Sequence, residues 1–280
     1  MMFKRFDFPA YYGPLDKLGW FGLRLAALLA LVFLVLPIVV IVPLSFSDSS
    51  FLAYPIQGWS LQWYREMWNA PEWARAARNS FIVAPVSTLL ATVLGTLAAM
   101  GLARNQFMGK GLVTGLLISP MVVPIVVVGV SSYLYFARLG LNDSYLGLIL
   151  VHAALGAPFV VTTVLATLQS FNVNLVKASL SLGASPLETF FRVTLPVIAP
   201  GVISGALFAF ATSFDEVVVV LFLGGVEQRT IPRQMWTGLR EQLSPTILAA
   251  AVVLILISVA MLLTLEALRR RNMRLRGLSD

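Results

Sequence analysis

Residues 177–196, KASLSLGASPLETFFRVTLP, are a polar, turn-rich insertion between two long apolar segments. Asn172 and Asn174 stand where N-caps belong, ahead of a short helix carrying Leu175, Val176, Ala178, Leu180 and Leu182. Gly183 is its expected stop, because glycine enters the left-handed region without a Cβ penalty. After Ala184, Ser185 opens a second helix. Its hydroxyl can cap free N–H groups, Pro186 takes the first helical position where no N–H is needed, and Glu188 completes an S-x-x-E capping box. Leu195-Pro196 closes that helix before the next apolar run. The stretch therefore predicts helix, tight turn, helix, presented on one side of a membrane.

Composition supports the membrane. Hydrophobic residues make up 58% of the 280-residue chain and charged residues 12%, about half the ~25% usual in soluble domains. No soluble core of this length requires so much apolar sequence, so an all-α, polytopic membrane protein is expected. The chain has no cysteine, which excludes disulfides, thiolate metal sites and cysteine nucleophiles. A net charge of +7 raises nucleic acid as a partner, but the positions of the charges argue against it. Arg269, Arg270, Arg271, Arg274 and Arg276 follow directly on an apolar span, which is a membrane-flank pattern.

Residues 1–20 mix Lys4, Arg5 and Lys17 with six aromatics and read as an arm near the headgroups. The first apolar run, 23–44, is long enough to cross a ~30 Å hydrocarbon core at ~1.5 Å per residue. It is too long for a cleaved signal peptide and reads as a retained span. Residues 45–79 are polar and rich in tryptophan; Leu61, Tyr64 and Trp68 share a helical face suited to the outer interface. Further spans are expected at about 80–103, 111–136, 145–167, 197–223 and 246–268. Pro120 and Pro124 interrupt the third, and Pro196, Pro200, Gly201 and Gly205 crowd the start of the fifth. Backbone breaks at membrane depth survive only when buried in protein or lining a wet cavity, so both places are candidate pathway walls, hinges or packing kinks.

Six spans put both termini on one side. With the N-terminus inside, 13 of the 20 basic residues fall in the cytoplasm, Lys177 and Arg192 among them. Arg65, Arg75, Arg78, Arg138, Arg229, Arg233 and Arg240 fall outside. That bias places the 177–196 stretch in the cytoplasm.

Catalytic motifs do not emerge. Gly109-Lys110-Gly111 lacks the spacing and the following hydroxyl of a phosphate-binding loop, so any energy source must be another chain. His152 lies in a span without a second ligand, which argues against a metal and for a bond to a neighbouring group. Gly95 and Gly101 mark a helix-packing surface. Asp215-Glu216 is the exception inside an apolar run. An acid in hydrocarbon costs at least ~2.5–3.5 kcal/mol, so two adjacent ones need water or partners. Continued as one helix, the pair would point about 100° apart, with one acid facing the translocation path. Asp215 or Glu216 could draw in a cationic substrate, with Phe214 or Tyr133 stacking on it. Alternatively the pair forms a gate or subunit contact satisfied by Ser213 or Ser131, or a proton relay in a secondary transporter.

The 172–196 loop resembles the cytoplasmic loop of bacterial ABC-importer permeases, whose pattern is E-A-A, three residues, Gly, nine residues, then I-x-L-P. Lys177-Ala178-Ser179 stands at the E-A-A position, Gly183 follows after three residues, and nine more lead to Val193-Thr194-Leu195-Pro196. Lys177 replaces the acid and Ser179 the second alanine. Ser213-Phe214-Asp215-Glu216, Ser119-Pro120-Met121 with Pro124, and Trp63-Tyr64-Arg65-Glu66 are similar to the polyamine-type branch. The resemblance covers roughly residues 20–270.

It implies a type I permease fold: a cytoplasmic arm over 1–20, a six-helix domain over 21–268 and a basic cytoplasmic tail over 269–280, in the bacterial inner membrane. It also implies a homologous second permease, two ATPase subunits that hold ATP and magnesium, and a periplasmic substrate-binding protein, with no cofactor in this chain. Lys177, Ala178, Gly183, Ala184, Ser185, Pro186, Leu187, Glu188, Phe190, Leu195 and Pro196 would dock into a groove on the ATPase. Ser213, Phe214, Asp215, Glu216 and Tyr133 would line the path. Putrescine or spermidine is the expected substrate. Similar permeases also move aminobutyrate-like zwitterions, opines, phosphonates or ferric iron, and the acid pair favours an amine over a phosphonate.

Overall fold

The computed structural model describes residues 13–52, 54–104, 107–241 and 244–275. Most of the expected N-terminal arm and the tail beyond 275 lie outside them. In chain order the helices are α1 (Pro14–Leu44), α2 (Gln62–Asn69), α3 (Pro71–Arg104), α4 (Lys110–Ile118), α5 (Ile125–Leu139) and α6 (Tyr145–Gln169). There follow α7 (Asn174–Ser181), α8 (Pro186–Thr189), α9 (Leu195–Phe214), α10 (Val218–Leu223), α11 (Ile231–Glu241) and α12 (Thr246–Leu275). Among the described residues the only β pairing is an isolated bridge between Ser47 and Trp59.

Three helices, α1, α3 and α6, are each long and apolar enough to cross a membrane, and so is the run Pro186–Phe214. The third expected span is not straight. A 3-10 turn at Ser119–Met121 and the residues up to Pro124 separate α4 from α5, and the two are bent by 101°. Proline withholds an N–H and constrains the residue before it, so Pro120 and Pro124 together end the first helix and start the next. The apolar stretch read as the sixth span lies on α12, whose helix continues through residues 269–275. The second span starts at Pro71 rather than near 80, because Pro71 suits a first helical turn and the polar turns carrying Arg75 and Arg78 remain helical.

The chain divides into two compact units, Met1–Asn69 with Leu243–Asp280, and Ala70–Gln242. In the first, the Gly13 N–H donates to Asp16 Oδ2 at 2.8 Å and Pro14 opens α1. Trp63 is buried and its indole N–H donates to the Ser47 carbonyl at 2.7 Å. Tyr64 Oη lies 2.7 Å from Ser45 Oγ, so the expected outward face of Leu61, Tyr64 and Trp68 is split: Leu61 and Trp68 are exposed, whereas Tyr64 is tied inward.

The second unit is organised around α6, which packs on α3 and α9. Small residues let the backbones approach. A Cβ on Gly95 would sit 2.7 Å from Val160 Cβ, and one on Gly205 would sit 2.7 Å from Val160 Cα. Gly205 is thus a close-packing site, the plainer of its two readings. One end of the core joins Ala91, Ala99, Ala153, Val160, Val164, Ile198 and Ala209. The other joins Val83, Leu148, Val151, Leu155, Val219, Val220 and Leu223, so α10 seals the core next to the bent third span.

Candidate functional site

Two places in the second unit gather the candidate residues. The first is the helix-turn-helix. Asn174 is the first residue of α7 rather than its cap; Asn172 Oδ1 accepts the Asn174 N–H at 3.0 Å, and Val173 holds the cap position. Gly183 takes φ +88°. The Ala184 N–H reaches the Ser179 carbonyl at 3.2 Å and the Gly183 N–H reaches Leu180 at 3.0 Å, the paired bonds of a Schellman stop. Ser185 Oγ accepts the Glu188 N–H at 3.2 Å, with Pro186 in the first turn. The reciprocal half of the capping box is not made. Glu188 turns instead to Arg192, 2.8 Å away and one turn on.

Leu195-Pro196 does not end this helix. A π turn, Phe190–Thr194, carries α8 into α9, and Pro186–Phe214 is continuous. The Leu195 N–H skips one residue back to the Phe190 carbonyl. Pro196 then follows in a register that tolerates its missing N–H. Spacing alone did not reveal the bond between Ser179 Oγ and Thr189 Oγ1, 2.9 Å, which ties α7 to the end of α8.

The motif presents apolar surface. Leu182 is 89% exposed, Leu187 69% and Phe191 57%. Lys177 and Ala178 are exposed as well, whereas Ala184 and Phe190 are half-buried, Phe190 with its ring edge-on to Phe191 at 4.9 Å. Leu182 and Phe191 are not among the docking residues that the resemblance implies. The signal for Leu182 was its place at the tip, directly before the left-handed glycine.

The second place is the end of α9. The run expected as one span over 197–223 breaks at Asp215, so the two acids do not share a continuous helix. The Asp215 N–H still reaches the Ala211 carbonyl at 3.1 Å, but its carboxylate is exposed and has no hydrogen-bond or ion-pair partner among the described residues. Glu216 is half-buried, and its Oε1 accepts the Val219 N–H at 2.9 Å. It serves the free N–H groups that start α10, where an anion is also favoured by the helix dipole. Phe214 stacks on Phe210 at 5.4 Å and meets Phe81 of α3 edge-on at 5.7 Å.

Ser213 is buried away from the acids. Its hydroxyl lies 2.9 Å from Ser87 Oγ and 2.8 Å from His152 Nδ1. Tyr133 is exposed on α5, and no hydrogen bond or ring contact joins it to either acid. Ser131 lines a different feature, a cavity of about 400 Å³ between the bent third span and α6 whose walls include Ser119, Pro120, Ser132, Leu150 and Ala154. The structure therefore groups Phe214, Asp215 and Glu216, and sets Ser213, Tyr133 and Ser131 apart from them.

The loop after α10 is held firmly. Buried Asn79 donates through Nδ2 to the carbonyls of Glu227 (2.7 Å) and Arg229 (2.8 Å), and its Oδ1 accepts Tyr145 Oη–H at 2.7 Å. Arg233 donates to the carbonyls of Gly224 and Gly225.

Comparison with known proteins agrees with this layout. Residues 91–274 match the family described as binding-protein-dependent transport system inner membrane component. The chain is 31% identical to the spermidine/putrescine transport system permease protein PotC of Haemophilus influenzae, over 86% of this chain and 93% of the relative. It is 32% identical to PotC of Escherichia coli, over 85% and 90% of the two chains. The putrescine transport system permease protein PotI of Escherichia coli is also 32% identical, over 81% and 83%. Among solved structures, a bacterial ABC transporter involved in the import of the acidic polysaccharide alginate superposes with a TM-score of 0.69 at 16% identity, covering 94% of this chain and 99% of that one. The bacterial alginate transporter in complex with alginate pentasaccharide-bound periplasmic protein gives 0.70 at 19% identity, covering 91% and 95%.

Proposed function

Since the chain belongs to the family of binding-protein-dependent transport system inner membrane components, we propose that it is the permease subunit of an ATP-driven polyamine importer, carrying putrescine and spermidine. It is a transport protein of the inner membrane and not itself an enzyme. The observation that carries the substrate half is the Asp215 carboxylate, exposed and without a hydrogen-bond or ion-pair partner among the described residues, at a break in a membrane helix directly after Phe214, whose ring packs with Phe81 and Phe210. A polyamine is a string of ammonium groups on short alkyl chains. An exposed carboxylate that follows a packed aromatic ring in the chain suits such a ligand by charge and by cation–π attraction.

In this reading the working unit contains a second, homologous permease, two ATPase subunits that hold ATP and magnesium, and a periplasmic binding protein. The helix-turn-helix over 172–196 lies in the cytoplasm with both termini. Leu182, Leu187 and Phe191 of that motif enter an apolar groove on an ATPase, with Lys177 and the Glu188–Arg192 pair at its edge. ATP-driven closure of the ATPases pushes on α7 and α8. The π turn and the continuous helix behind it carry that push to the end of α9, and the helices rock from inward-facing to outward-facing. The binding protein then releases substrate onto the path at Asp215.

The test is reconstitution of the complete complex in proteoliposomes with its binding protein. Putrescine and spermidine should stimulate ATP hydrolysis and uptake. Stimulation by a non-amine ligand with none by polyamines overturns the substrate assignment.

A further inference from the structure

Ser213 is the last buried residue before the α9 break, and three helices meet at its hydroxyl. Ser87 on α3 lies 2.9 Å away and itself donates to the Ala84 carbonyl at 3.1 Å. His152 on α6 presents Nδ1 at 2.8 Å. None of the three side chains reaches the surface: Ser87 and His152 are 1% exposed and Ser213 5%. The imidazole is costly where it stands, because its second nitrogen, Nε2, is buried without a hydrogen-bond partner among the described residues. A buried polar atom left unmade is expensive, and an aliphatic side chain would pack at this apolar contact without that cost. What the imidazole contributes that an aliphatic residue cannot is the bond to Ser213.

The consequence of that bond is geometric. Phe214 and Asp215 follow Ser213 directly, and after the Asp215 N–H bond to Ala211 the helix is broken, so no intrahelical bond from later residues reinforces this last turn. A small rotation of the last turn of α9 would swing both side chains. We propose that His152 and Ser87 are positioning residues for transport: gripping Ser213 from α6 and α3, they fix the last turn of α9 and so set the direction in which Phe214 and Asp215 meet the substrate. The proposal rests on the substrate reading of Asp215 given above. His152 and Ser87 do not touch the substrate themselves.

The experiment uses the complete reconstituted complex and compares wild type with H152L, H152N, S87A and D215N. It measures KM and Vmax for uptake of putrescine and of spermidine, with basal ATP hydrolysis and complex yield as checks on assembly. H152L and S87A are expected to raise KM about three- to tenfold, the scale of one lost hydrogen bond, with Vmax within about twofold. H152N keeps a polar atom near the place of Nδ1 and should return KM towards wild type, which a packing role would not do. Should H152L fail to assemble, S87A and H152N decide, since each removes little volume. Unchanged KM in assembled S87A and H152L, with D215N raising it, overturns the positioning role alone. Unchanged KM in D215N overturns the substrate reading of Asp215, and the positioning role with it. A KM raised equally in H152N and H152L shows a packing role and also overturns the proposal.

Discussion

Glu216 accepts the Val219 N–H while its neighbour Asp215 has no partner among the described residues, so two adjacent acids have separate tasks. The cost of placing acids in an apolar run is met locally for one of them, by the free N–H groups at the start of α10. This division has a measurable form. Glu216→Ala removes the acceptor and should cost about 1 kcal/mol, the usual scale of a lost helix cap, read as a fall of about 2 °C in the unfolding midpoint in detergent. Glu216→Gln keeps an oxygen for the same bond and should lie close to wild type, and Asp215→Asn should leave the midpoint where it was. A midpoint that falls for Asp215→Asn but not for Glu216→Ala would exchange the two roles. Asp215 and Glu216 stood out in the sequence as charges in the wrong solvent. Their difference did not, because it depends on where α9 stops, and neither proline nor glycine marks that point.

At the scale of the element, the exposed leucines and Phe191 of the helix-turn-helix are the feature a folded chain in water would not keep without a partner. Leu187→Glu and Phe191→Asp each replace a side chain worth about 1.5–3 kcal/mol on burial. Each should weaken retention of the ATPase on a tagged permease about ten- to hundredfold and abolish uptake, while the permease itself remains folded. Full retention of the ATPase in both variants would remove the coupling assignment. Much of this element was readable in advance, since its signals are local: Gly183 for the left-handed stop, Ser185-Pro186 for the restart. The departures come from contacts that spacing does not reveal. Glu188 had two available partners and took Arg192 rather than the Ser185 N–H. Ser179 and Thr189, ten positions apart, meet only because the turn folds α7 back on α8. Pro196 looked like a terminator, yet the π turn before it lets the helix run through. The bend in the third span was announced by Pro120 and Pro124, whereas its angle of 101° was not.

For the whole molecule, the proposed sidedness rests on where the basic residues fall along the chain, and the chain is well suited to testing it. In the proposed topology, with both termini inside, Leu182 at the tip of the helix-turn-helix would face the cytoplasm and Val226, in the loop between α10 and α11, would face the periplasm. Both side chains are well exposed, at 89% and 62%. The natural sequence contains no cysteine, so a thiol introduced at either place is the only one in the chain. In intact spheroplasts a membrane-impermeant maleimide should label V226C and leave L182C unreacted until the membrane is opened. In the assembled complex, L182C should stay protected even in opened membranes as long as the ATPases are bound, and become reactive when they are stripped away. Labelling of L182C from outside would invert the topology and remove the helix-turn-helix from the side where ATP is available. Labelling that ignores the ATPases would keep the topology but sever the apolar tip from its proposed groove, leaving the exposed Asp215 carboxylate as the support for the transport reading.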